Sequence, residues 1–208
     1  MIRILQFPTI FALLLLAAGQ TFAGELTIVN PSFEEECSAD SKLGNWVIVQ
    51  GAGGVAWARW DKPSGGVMAA DGDAFLYTNS TAAAVVQLLK DAPIQAGKYV
   101  FSMEVATPAG GPGVENVSPR GVQMAVYAIP TALEKEPRFT LIAEKTILSE
   151  AMGRDEQWKP LEVAFEIPAN SPFIGQFFQI NITSAPLAPN APEPSQVDID
   201  NVQAKRLD

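Results

Sequence analysis

Two short segments far apart in the 208-residue chain carry groups that could do chemistry together: Asn30-Pro31-Ser32-Phe33-Glu34 and Val197-Asp198-Ile199-Asp200-Asn201-Val202. Side chains of an extended strand alternate between its faces. Asp198 and Asp200 therefore share a side with Val202 and Ala204, while Val197 and Ile199 take the other. If Val202 enters a core, Asp200 is directed inward with it, and a buried carboxylate is costly unless a cation neutralises it. The chain has no histidine and a single cysteine, Cys37. The available donors are carboxylate and carbonyl oxygens, which suit a hard ion, calcium before magnesium. A bulge that turns both aspartates to solvent is equally compatible with the spacing.

The same two counts exclude several chemistries. Without histidine there is no Ser-His or Cys-His nucleophile pair and no zinc site of the usual nitrogen and sulfur kind, and one cysteine forms no intrachain disulfide. Cys37 leaves an intermolecular disulfide, and with it a homo-oligomer, open. A glycosidase needs two carboxylates across a cleft, and among 23 acidic residues nothing singles a pair out. Gly51-Ala52-Gly53-Gly54-Val55-Ala56 fits a dinucleotide-binding pattern, but strands rather than alternating strands and helices follow it, so a glycine-rich hairpin turn is the better reading.

Aromatic faces are the usual platforms for sugar rings or an indole. Trp57-Ala58-Arg59-Trp60 is the densest cluster. On a strand, Trp57 and Arg59 share one face and Trp60 takes the other. Tyr77, Tyr127 and Phe177 are the next candidates for a ligand groove, and Trp46 reads as core. For each of the candidates taken singly, packing is the commoner role.

These residues need a frame, and the dominant period is two. Tyr99, Phe101, Met103 and Val105 alternate with mostly polar neighbours, as do Leu161 to Ile167 and Phe178 to Thr183, the pattern of half-buried antiparallel strands. Weaker strands are expected at Leu26 to Val29, Trp46 to Val49, Val55 to Trp60, Ala74 to Tyr77, Val122 to Ile129 and Phe139 to Ala143. Thr81 to Lys90 could be helix or strand, and its context favours strand. Gly, Pro and Asn clusters separate the strands, which indicates an all-β sandwich or barrel.

Arg3, the apolar run Ile10 to Ala18 and the small residues ending at Ala23 have the order of a secretory signal peptide. Residues 24–208 are then one exported domain, periplasmic or secreted, and no later apolar run offers a membrane anchor. The formal net charge of −9 repels phosphate backbones, so nucleic acid is not an expected partner.

The succession Asn30-Pro-Ser-Phe-Glu34, Trp46, Asp71-Gly-Asp-Ala-Phe-Leu-Tyr77, Gln87, Gly97-Lys-Tyr99, Gly175-Gln-Phe-Phe-Gln-Ile180 and Asp200-Asn-Val202 resembles the galactose-binding-like jelly rolls. These include several carbohydrate-binding modules and the calcium-dependent stig cyclases, which cyclise hapalindole-type indole terpenoids in cyanobacteria. The resemblance implies an antiparallel jelly-roll β-sandwich. It also implies a structural calcium ion joining the two ends of the chain, held by Glu34 and Asp200 with a backbone oxygen near Asn30. Two functions follow as expectations: non-catalytic binding of a carbohydrate or related ligand, or a stig-cyclase-like reaction. The second needs one general acid and an aromatic pocket, for which Asp198, Tyr77 and Tyr127 are the candidates. Adhesion to another macromolecule is a third reading.

Overall fold

A computed structural model describes residues 24–35, 37–38, 42–43, 45–49, 58–60, 68–78, 84–107, 110–111, 114–115, 118–130, 139–152, 157–185 and 195–207. The expected signal peptide at 1–23, the glycine-rich stretch 51–56 and Trp57 lie outside them.

The main strands are β1 (Trp46–Val49), β2 (Ala58–Trp60), β3 (Phe75–Thr78), β4 (Ala84–Leu89) and β5 (Gly97–Ala106). They continue with β6 (Val122–Ile129), β7 (Thr140–Ile147), β8 (Lys159–Ile167), β9 (Phe177–Ser184) and β10 (Ser195–Leu207). A single helical turn, Ser149–Met152, follows β7. Sheet A has the order β8-β5-β10-β3-β2, and sheet B the order β7-β6-β9-β4-β1. The short strands Gly24–Glu25 and Ser118–Pro119 add to β10, while Lys42–Leu43 and Cys37–Ser38 extend sheet B beyond β1.

The two-residue alternation becomes the core between the sheets. Tyr99, Phe101, Met103 and Val105 face inward from β5, Leu161 and Val163 from β8, and Phe178, Ile180 and Ile182 from β9, all buried. Phe178 of sheet B meets Tyr99 and Phe101 of sheet A edge-on, with ring centroids 4.9 and 5.3 Å apart. Each such side chain contributes about 1.5–3 kcal/mol by leaving water. Trp46 is fully buried, as expected, and packs 5.5 Å from Phe33. The ambiguous stretch after Thr81 is strand at β4, whose Val85, Gln87 and Leu89 point inward and are buried.

Leu26 to Val29 departs from expectation, since no strand forms there. The buried amide of Gln87 occupies both backbone groups of Val29, accepting from its N–H at 2.9 Å and donating to its carbonyl at 2.8 Å. A side chain thus makes the bonds that a neighbouring strand would make, and Asn30, at φ 51°, turns the chain away.

Candidate functional site

β10 carries both aspartates, and it does not keep a simple alternation. Its pairing with β5 shifts register between Asp200 and Gln203, and Asn201 sits at φ 48°, a left-handed conformation that asparagine tolerates better than most residues. The extra residue lets Val197, Ile199, Val202 and Ala204 all join the core. Asp198 and Asp200 are left on the outer face of sheet A. This corrects the expectation that Asp200 follows Val202 inward. The bulge is present, yet neither aspartate reaches solvent: both are 0% exposed.

Asp198 lies opposite Ala106 of β5 and Tyr77 of β3. Its Oδ1 accepts a bond from Gln196 Nε2 at 2.7 Å, while its buried Oδ2 has no hydrogen-bond partner among the described residues. Burial pushes its carboxyl up to about 7, partly offset by the Gln196 bond. Tyr77 is half-buried beside it. Trp60 is opposite Phe75 in the same sheet. Trp158, just before β8, packs edge-on against Phe75 with centroids 5.9 Å apart and donates its indole N–H to the Met68 carbonyl at 2.7 Å.

Asp200 belongs to a second cluster that joins the two sequence motifs through the loop 68–74. Its Oδ2 accepts from the amides of Ala70 at 2.7 Å and Asp71 at 3.0 Å, and its Oδ1 from Asn201 at 2.7 Å. Glu34 Oε1 accepts from Asp73 and Ala74, both at 2.9 Å. Gly72, just before them, has φ +70°, and a Cβ there would lie 2.3 Å from Glu34 Oε1, so a side chain at this position is strained and displaces the Glu34 carboxylate. Ser32 donates to Asp71, and the Val202 amide donates to the Pro31 carbonyl at 2.9 Å. Arg59 donates to the carbonyls of Phe33 and Glu34 at 2.8 and 3.0 Å. It thereby braces the first motif.

The oxygens gathered here are the right chemistry for a hard cation. Burial, joined by the charge of Asp71, pushes the Asp200 carboxyl up to about 7 against the pull of its three amide bonds. Only backbone amides bond this desolvated acid among the described residues, the situation a cation relieves. Among the described residues no three acidic or cysteine side chains converge as a ready cage, so backbone oxygens would have to complete one. The Asn30 carbonyl already accepts from Trp46 Nε1 at 3.0 Å and from the Phe33 amide at 3.3 Å. Asn30 Oδ1 accepts from Glu35.

Tyr127 and Phe177 lie elsewhere. Both are on the outer face of sheet B, where Tyr127 pairs with Gln179 and Phe177 with Ile129. The core separates them from Asp198, so Tyr127 does not line a pocket with that acid, a correction to the grouping expected from sequence. A groove of about 440 Å³ on this face is bordered by Asn45, Val47, Val86, Leu88 and Gln179. Another, of about 450 Å³, runs along Leu26 to Ile28 and Asn201 to Lys205. Trp158 and Gln196 were not singled out in the sequence. Only the cross-strand register, which sets Lys159 opposite Val105 and Val105 opposite Ile199, brings Trp158 to the row of Asp198.

The architecture defines an antiparallel jelly-roll β-sandwich of the galactose-binding-like kind. Residues 24–205 match the HpiC1-like family, described as HpiC1 cyclase, and the chain belongs to that family. Among solved structures it is similar to a cyclase from Fischerella sp. TAU, at 17% identity and TM-score 0.66 over 88% of this chain and 97% of that one. The Stig cyclase Fisc from Fischerella sp. TAU, in complex with (3Z)-3-(1-methyl-2-pyrrolidinylidene)-3H-indole, gives 17%, 0.66, 89% and 98%. The CBM22-2 xylan-binding domain of Paenibacillus barcinonensis Xyn10C gives 17%, 0.50, 85% and 98%. No curated protein matches the chain.

Proposed function

We propose that this chain catalyses an acid-promoted cyclisation or isomerisation of a small aromatic ligand of the indole type, with Asp198 as the general acid. The observation that carries the reading is the state of Asp198: wholly buried, pushed up to about 7, and with one oxygen that has no partner among the described residues. A general acid works best with a pKa near the operating pH. Because Oδ1 accepts from Gln196, the proton resides on Oδ2. Oδ2 donates it to an unsaturated carbon of the ligand, the resulting cation closes a ring, and the carboxylate recovers a proton from the adjacent carbon. No atom is gained or lost, so the net change is an isomerisation.

Calcium at the terminal cluster would be held by Glu34 and Asp200, with a backbone oxygen near Asn30. It would stabilise Asp200 as a carboxylate and fasten loop 68–74 to β10. The family and the buried, uncompensated Asp200 support this. The segment 1–23 is proposed to be removed on export, which N-terminal sequencing of the mature protein checks.

Turnover of an indole isonitrile terpenoid, followed chromatographically, tests the catalytic reading. Loss of turnover in Asp198→Asn with folding kept supports it, and an unchanged rate removes Asp198 from the mechanism. A second reading, non-catalytic carbohydrate binding, is favoured by one observation on the other sheet: an open groove lined by Val86, Leu88 and Gln179, with Tyr127 and Phe177 on the same outer face. A glycan array showing no response would end it.

A further inference from the structure

We infer that Trp158 covers Asp198 and sets the shape of ligand its site accepts. The inference deepens the catalytic reading above and rests on it for the identity of the ligand, but the covering itself stands on geometry. Sheet A has β8, β5, β10 and β3 side by side. At about 4.8 Å per strand, β8 and β3 are roughly 14 Å apart. Trp158 immediately precedes β8, and Phe75 is on β3, yet their ring centroids are 5.9 Å apart. The two rings can meet only by reaching toward each other over β5 and β10. The side chains on that face beneath them are Glu104 and Ala106 of β5 and Asp198 and Asp200 of β10.

Two observations agree with this placement. Ala106, beside the end of β8, is small and buried, which leaves room for an indole above it. Asp198 is 0% exposed although it lies on the outer face of a sheet, so something must shield it from water. Trp158 is fixed in the covering position by its bond to the Met68 carbonyl. Met68 opens the loop whose Ala70 and Asp71 amides hold Asp200. The loop therefore ties the cover of the acid to the cluster that joins the two sequence motifs. A flat indole face above a buried acid selects a planar, aromatic ligand over a branched aliphatic one.

The test uses the mature chain and two readouts. The first is carbodiimide labelling of Asp198 by mass spectrometry, which needs no ligand. Trp158→Ala is expected to raise labelling at least several-fold, and Trp158→Phe, which loses the Met68 bond but keeps a ring, to give an intermediate rise. The second is calorimetric binding of 4-(1H-indol-3-yl)butan-2-one, a ligand of a Fischerella cyclase. Binding should weaken up to roughly tenfold in Trp158→Ala, the worth of one aromatic contact. Wild-type labelling in both variants, with circular dichroism unchanged, would overturn the inference. If Trp158→Ala does not fold, the Phe variant decides by the same criterion. A rise in labelling with no probe bound by the wild type keeps the cover and removes the indole reading instead.

Discussion

The outer faces of the two sheets are made from the same alternating strands and treat their polar groups in opposite ways. On sheet B, Gln123, Tyr127, Gln179, Asn181 and Thr183 stay half-exposed. Gln123 bonds Glu144 at 3.0 Å on the exposed surface, and Gln179, which lines the groove, bonds Asn181. On sheet A, Asp198 and Asp200 are sealed, and their carboxyls are pushed up to about 7. A wet face can bind through many weak, exchangeable contacts. A sealed acid is poised to move a proton, because desolvation rather than a neighbouring charge sets its affinity for one.

The contrast can be broken at the acid first. Asp198→Asn should lower turnover of an indole isonitrile by about 10²–10⁴-fold, the usual worth of a general acid, with its far-ultraviolet dichroism unchanged. Next comes the terminal cluster. Chelation of calcium, or Asp200→Ala, should cost about 3–4 kcal/mol, the linkage expected for a tight site near saturation, measured by chemical denaturation. Gly72→Ala should cost about 1–3 kcal/mol by forcing a side chain into a left-handed turn, where its Cβ would press on Glu34.

The pH dependence sharpens the same contrast. Asp198 and Asp200 have folded-state affinities above those of an unfolded carboxylate, so the fold favours their neutral forms. Their stabilising contribution is complete below about pH 4, the unfolded value, and is lost as pH rises through about 7. Calcium-free protein should therefore melt lower at pH 8 than at pH 5. Added calcium, which favours ionised Asp200, should restore the melting temperature at pH 8 and do little at pH 5. The smallest effect belongs to sheet B. Tyr127→Ala should weaken any glycan binding by about 0.5–1.5 kcal/mol and leave indole turnover untouched.

The sandwich was largely legible in the sequence because its signal is local. Tyr99 to Val105, Leu161 to Ile167 and Phe178 to Thr183 each declare a face within a few residues, and their strands form at those places. What was not legible depends on partners distant in the chain. The parity of Asp198 and Asp200 turns on one left-handed Asn201, which a strict period of two cannot express. Leu26 to Val29 has the composition of a strand, but Gln87 takes its bonds. Arg59, a candidate ligand contact by its place beside Trp57 and Trp60, also braces the first motif through its guanidinium, a bond no local spacing shows. Trp158 looks like an isolated aromatic until register brings it alongside Ala106.

β10, the last strand in the sequence, occupies the centre of sheet A between β5 and β3, and its far end pairs with Gly24–Glu25. A ribosome that has made everything up to Ala185 has therefore produced flanking strands with no middle. Sheet A can close only once residues 195–207 are present, because before then β5 has β8 and β3 has β2 as its neighbour. Hydrogen exchange on chains truncated before Ser195 should show β5 and β3 less protected than in the whole chain.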